Sequence, residues 1–74
     1  MMKPMANEID VHVNGETKQL APGISVRALL EHLGLNPGRV AIEYNLEILP
    51  KTKWDETRVA AGDRLEIVQF VGGG

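Results

Sequence analysis

The chain has 74 residues, 43% of them hydrophobic and 24% charged, with a formal net charge of −2. That length allows one small domain, and that balance excludes the low-hydrophobicity, high-charge composition of a disordered chain. Eight basic side chains against ten acidic ones leave no footprint for nucleic acid or an anionic membrane, and no apolar run approaches the roughly 20 residues of a transmembrane helix.

The chain has no cysteine. Disulfides, thiolate metal sites and cysteine nucleophiles are thereby excluded together. A secreted domain of this size is usually stapled by disulfides, so a reducing compartment, the cytoplasm, is the expected location. Residues 1–8 read as a short mobile leader, because no apolar stretch of signal-peptide length follows Lys3.

From Ile9 the pattern alternates, with Ile9, Val11 and Val13 on one face and Asp10 and His12 on the other, which predicts a half-buried strand. Asn14-Gly15 is a strong hairpin signal, since both residues tolerate the positive φ of a type I′ turn. Thr17 to Leu20 is the expected return strand, and Ala21-Pro22-Gly23 breaks the pairing.

Val26, Leu29, Leu30 and Leu33 recur at i, i+3, i+4 and i+7, the single apolar stripe of an amphipathic helix. Ser25 stands where an N-cap belongs. Ile24 and Leu29 have the spacing of a hydrophobic staple, and Gly34 is placed to end the helix in a left-handed conformation.

Beyond the Pro37-Gly38 turn, Val40 and Ile42 alternate with Ala41 and Glu43 as a third strand, broken near Asn45. Ile48-Leu49 is apolar again. Lys51 to Glu56 is polar apart from Trp54 and reads as a loop or a single helical turn. Thr57-Arg58-Val59 offers a short strand, Ala61-Gly62-Asp63 a turn, and Arg64 to Val71 the clearest strand of the chain.

One helix covers only one face of a sheet, so the other face must meet water or a partner. The expected fold is α+β in two layers, with a mixed sheet of four to five strands packed on one helix. Residues 9–71 form the domain and residues 72–74 a flexible glycine tail.

Side-chain catalysis has little to work with. His12 and His32 share no metal-ligand spacing and no triad-like order, and the ten carboxylates are scattered. No catalytic residue and no metal site is expected. The unusual feature is Gly72-Gly73-Gly74, directly after a strand; three glycines at a fixed place arise by chance in roughly 3 of 10,000 chains. Without Cβ atoms, Gly72 and Gly73 can thread a channel that other residues would block. A carboxylate on Gly74 would be ionised at neutral pH and inert until its oxygen becomes part of a leaving group, as in an adenylate. The pattern suggests a carrier whose cargo rides on its terminus. In the last strand Leu65 and Ile67 suit the core, while Val68 and Phe70 fall on the opposite face and, with Val71, form a candidate docking surface.

The order of these pieces resembles the ThiS family of sulfur carriers, ubiquitin-like β-grasp proteins of thiamine biosynthesis. The resemblance covers Ile9 to Gly74. It rests on Asn14-Gly15, Ser25-Val26-Arg27-Ala28-Leu29-Leu30, Val40-Ala41-Ile42-Glu43-Tyr44-Asn45, Ile48-Leu49-Pro50, Trp54, Gly62-Asp63 and the closing Ile67-Val68-Gln69-Phe70-Val71-Gly72-Gly73-Gly74. Two departures stand out: Gly72 extends the family's terminal Gly-Gly by one, and Leu46 replaces the glycine that often follows the asparagine.

The resemblance implies a cycle at Gly74. An E1-like adenylyltransferase uses Mg-ATP to adenylylate the carboxylate, a persulfide donor protein supplies sulfur to give a thiocarboxylate, and thiazole synthase receives that sulfur. The chain itself binds no cofactor and is expected to be a monomer when free. Alternative readings are the small subunit of molybdopterin synthase, a non-covalent β-grasp binding module, and a ubiquitin-like modifier.

Overall fold

A computed structural model of the chain describes residues 8–70. The first strand, β1 (Ile9–Val13), and the second, β2 (Glu16–Leu20), form an antiparallel hairpin in which Ile9 faces Leu20 and Val13 faces Glu16. Asn14 and Gly15 both have positive φ, 52° and 82°, as the two central residues of a type I′ turn require.

The helix α1 (Val26–His32) begins and ends where its sequence dictates. The Ser25 hydroxyl accepts a hydrogen bond from the N–H of Ala28 at 3.1 Å. At the other end Gly34 turns left-handed with φ 75°. Its N–H donates to Glu31 O and the N–H of Leu35 donates to Leu30 O, both at 3.0 Å. That bond pair is a Schellman closure, which satisfies carbonyls the helix would otherwise leave open. Val26, Leu29 and Leu30 are buried on the sheet.

After a single 3₁₀ turn at Pro37–Arg39, β3 (Val40–Tyr44) leads through Asn45-Leu46 into the two-residue β4 (Glu47–Ile48), and β5 (Arg64–Gln69) closes the sheet. The strand order is β2-β1-β5-β3-β4. β5 runs parallel to β1 and antiparallel to β3, so the sheet is mixed and five-stranded, the architecture of the expected β-grasp.

The core lies between α1 and one face of the sheet. It comprises Val11, Val13, Leu20, Val26, Leu29, Leu30, Val40, Ile42, Trp54, Val59, Leu65 and Ile67. Trp54 is its largest member and is 2% exposed. The polar stretch around it is a 3₁₀ turn, Lys51–Lys53, which swings the indole inward; Nε1 donates to Leu49 O at 3.2 Å. Arg27 and Lys51 each lie 5.8 Å from the ring centroid, and Arg27 Nε is also 2.6 Å from Asp55 Oδ1. A segment that reads as a loop or a single helical turn, and forms a 3₁₀ turn, therefore supplies the side chain that seals the core against the helix.

Two expected elements are shorter than the sequence suggested. Thr57-Arg58-Val59 makes one isolated bridge, Arg58 with Ser25, and no strand. The expected strand from Arg64 to Val71 ends at Gln69. Val71 lies outside the described residues, as do Gly72, Gly73 and Gly74 and residues 1–7 of the expected leader.

Candidate functional site

β5 is the central strand, and two asparagines hold it from opposite sides. Asn14, at the tip of the β1–β2 hairpin, accepts at Oδ1 from Ile67 N (2.6 Å) and donates from Nδ2 to Ile67 O (3.2 Å). Asn45, at the tip of the β3–β4 hairpin, accepts at Oδ1 from Arg64 N (2.9 Å), and its own N–H donates to Arg64 O (2.8 Å). Both sit at positive φ, 52° and 51°. Each tip thus turns its side chain or main chain back to extend a ladder along β5.

Asn45 belongs to a wider knot at the start of β5. Asp63 accepts from the Tyr44 hydroxyl, from Ala60 N at 2.8 Å and from Asn45 Nδ2 at 3.2 Å. Burial pushes the Tyr44 phenol up to about 12, with help from the hydrogen bond to Asp63 and its negative charge. Burial also raises the Asp63 carboxyl, but the three donors outweigh it and hold Asp63 below the ordinary carboxylate range. These groups fix the turn that leads into β5. A small open hollow of about 210 Å³, lined by Asn45, Leu46, Gly62 and Arg64, lies beside the knot. It is at the far end of β5 from Phe70, roughly 20 Å along the strand.

The exit end of β5 is different. Leu65 and Ile67 are buried, whereas Val68 and Phe70 are 56% and 55% exposed, as the alternation predicted. Phe70 is anchored by its main chain, its N–H donating to Arg39 O at 2.7 Å, while more than half of the residue's surface remains exposed. Val68 stands opposite Ala41 on β3. Leu46 and Ile48, 74% and 70% exposed, add two apolar side chains that alternation along the last strand did not assign to the docking surface. Only the β3–β5 and β3–β4 registers reveal that Ile48 shares the outer face with Val68. Val71, Gly72, Gly73 and Gly74, the remaining site candidates, fall outside the described residues.

Among the described residues no group of histidine and carboxylate side chains could hold a metal ion. His12 Nδ1 lies 3.3 Å from Thr17 Oγ1, and His32 is exposed on the helix. No helix of the described residues is long and apolar enough to cross a membrane. Among the described residues, the arrangement offers a central strand that ends beside an exposed apolar surface.

Known proteins share this design. The model of the ThiS family matches residues 11–74. A thiazole synthase of Paramagnetospirillum magneticum is 47% identical over 62 residues; these cover 84% of this chain but 19% of that protein. The chain therefore spans about a fifth of that relative's length. The sulfur carrier protein ThiS of Escherichia coli is 33% identical, with 82% of this chain and 92% of that protein aligned. Among solved structures, the ThiS protein of Geobacter metallireducens superposes with a TM-score of 0.78 at 33% identity, covering 89% of this chain and all of that one. The ubiquitin-like domain of yeast Ddi1, at a TM-score of 0.57 and 16% identity over 97% of this chain, shares the fold alone. The chain belongs to the ThiS family, the sulfur carriers of thiamine biosynthesis, with the ubiquitin-like β-grasp fold.

Proposed function

We propose that the sulfur rides on the carboxylate of Gly74 and is delivered to a thiazole synthase. The observation that carries this reading is the extent of the family match, which runs to residue 74 and so includes all three glycines. In the first step a carboxylate oxygen of Gly74 attacks the α-phosphorus of Mg-ATP on an adenylyltransferase, and pyrophosphate leaves. The terminal sulfur of a protein persulfide then displaces AMP to give an acyl disulfide. A thiol cleaves its S–S bond, becoming oxidised to a disulfide and leaving the thiocarboxylate on Gly74. The chain contributes no catalytic side chain to these steps. Its residues position the tail: β5 fixes where it leaves the fold, Gly72 and Gly73 admit it to a narrow channel, and Val68, Phe70 and Val71 dock the partner.

A thiazole synthase as recipient is supported by the relative in which a stretch similar to this chain lies within a thiazole synthase polypeptide. A second thiazole synthase, from Magnetococcus marinus, aligns in the same way, 86% of this chain with 20% of that protein. Both favour the thiamine branch over the molybdopterin branch. We place the cycle in the cytoplasm, with the free chain a monomer.

The test is mass spectrometry of the tryptic peptide Leu65 to Gly74 after incubation with adenylyltransferase, ATP and a persulfide donor. That peptide contains no methionine, so sulfoxide formation cannot imitate the exchange of oxygen for sulfur. Sulfur at Gly74 is the expected result. An unchanged carboxylate with an active adenylyltransferase and donor would overturn the carrier reading.

A further inference from the structure

Glu43 of β3 and Glu66 of β5 stand directly opposite each other in the antiparallel ladder. Both are exposed on the face of the sheet away from the helix. Residues so paired have Cβ atoms about 4.5–5.5 Å apart, and like charges in that position destabilise a sheet. Arg64 lies two residues before Glu66 on the same strand, yet neither glutamate takes part in an ion pair among the described residues. Toward the Phe70 end of β5 the surroundings are apolar. Exposed Ile48 is the cross-strand neighbour of Glu43, and the next row along the sheet is Ala41 opposite exposed Val68, with Phe70 beyond it. In water this surface is unfavourable twice over, for its facing carboxylates and for its uncovered apolar rows. A partner that seats one cationic side chain between the carboxylates and covers the rows relieves both.

We infer that Glu43 and Glu66 form a carboxylate clamp for a lysine or arginine of the enzyme that activates Gly74, seated on the outer face of the sheet with Ile48, Val68 and Phe70 against its apolar surface. The inference rests on the carrier reading above. Chain length supports this occupant. Only four residues separate Phe70 from Gly74, a reach of at most about 14 Å, so an enzyme holding Gly74 lies against this end of β5. Charge supports it as well. Activation brings an anionic carboxylate to the triphosphate of ATP, and an enzyme that joins two anions needs a cationic surface around the meeting point. That surface complements an acidic face. A guanidinium or ammonium can bond both carboxylates at once, and such charge-assisted bonds are the strong ones.

The test compares the parent chain with the Glu43→Gln/Glu66→Gln double variant, which keeps shape and removes charge. Binding to the adenylyltransferase and to the thiazole synthase is measured at low and high salt, with a thermal melt of each chain. The double variant is expected to melt at the same temperature as the parent or higher. It should bind the adenylyltransferase about tenfold more weakly at low salt, with the gap narrowing as salt rises. Equal binding by parent and variant at both salts would overturn the clamp while leaving the carrier reading intact. Weakened binding to the thiazole synthase alone would overturn the assignment to the activating enzyme. A parent that binds neither enzyme would overturn the carrier reading and the clamp with it.

Discussion

The carboxamide of Asn14 occupies both hydrogen-bonding groups of Ile67, accepting from its N–H at 2.6 Å and donating to its carbonyl at 3.2 Å. A side chain at a hairpin tip thereby takes the part of a peptide group and continues the parallel β1–β5 ladder beyond Val13. The Asn14→Gly variant keeps the positive φ and removes both bonds. It should lose about 1–3 kcal/mol in urea unfolding, the net value of two intramolecular hydrogen bonds. An unchanged midpoint would mean that water replaces the carboxamide without penalty.

Leu46 gives the opposite expectation. Its φ is 75° and most of its side chain is in solvent, so it has left-handed strain and little packing to offset it. Leu46→Gly relieves the strain, and the greater freedom of unfolded glycine takes back part of the gain. The net expectation is a stabilisation of about 0.5–1 kcal/mol by thermal melt. A lower melting temperature would show that Leu46 makes a contact worth more than the strain.

For Phe70 the informative quantity is a contrast between two measurements. Truncating a buried phenylalanine costs about 3–5 kcal/mol. With more than half its surface exposed, Phe70→Ala should cost about 1 kcal/mol or less in stability, and should weaken adenylyltransferase binding by about 1–4 kcal/mol. Strong destabilisation with unchanged binding would assign Phe70 to the fold and remove it from the docking surface.

Trp54→Ala should be the most damaging single change in the chain. It empties the largest core site, strands the Leu49 carbonyl and removes the ring on which Arg27 and Lys51 rest. The expected loss is about 3–5 kcal/mol, a large share of the stability of so small a domain. A cooperative melt close to that of the parent chain would contradict the core assignment.

The Tyr44–Asp63 pair sets a pH window at each end. Asp63 has its folded value lowered, so its contribution is present above the ordinary Asp range near 3.9 and is lost as pH falls through the lower folded value. Tyr44 has its folded value raised to about 12. Its contribution is complete below the unfolded value near 10 and declines as pH rises toward the folded one. Tyr44→Phe should abolish the alkaline decline specific to this pair. Parallel alkaline profiles for Tyr44→Phe and the parent chain would refute the assignment.

Much of this design was legible from local rules. The Ser25 cap, the Val26-Leu29-Leu30-Leu33 stripe, Gly34 and the Asn14-Gly15 turn are each decided within a few residues, and each appears where expected. The exposure of Val68 and Phe70 followed from alternation once β5 was recognised. What the chain order could not reveal depends on contacts distant in sequence. Trp54 sits among charged residues and is buried because α1 and the Lys51–Lys53 turn close over it. Ile48 becomes part of the outer face only through the register of two ladders. The facing of Glu43 and Glu66 spans 23 positions, and neither residue carries a local signal of it. The ThiS resemblance, which the family match bears out, reached the function from the order of motifs when no single motif was specific.

The central place of β5 has a mechanical consequence. A partner that draws the residues after Phe70 into its active site pulls along the axis of a strand bonded on both sides, to β1 and to β3. Such a load is shared as shear by many hydrogen bonds at once, whereas an edge strand peeled sideways would surrender them one at a time. β5 is thus the strand least easily torn from the sheet, and on the proposed carrier reading the fold withstands a load applied through the residues that follow it.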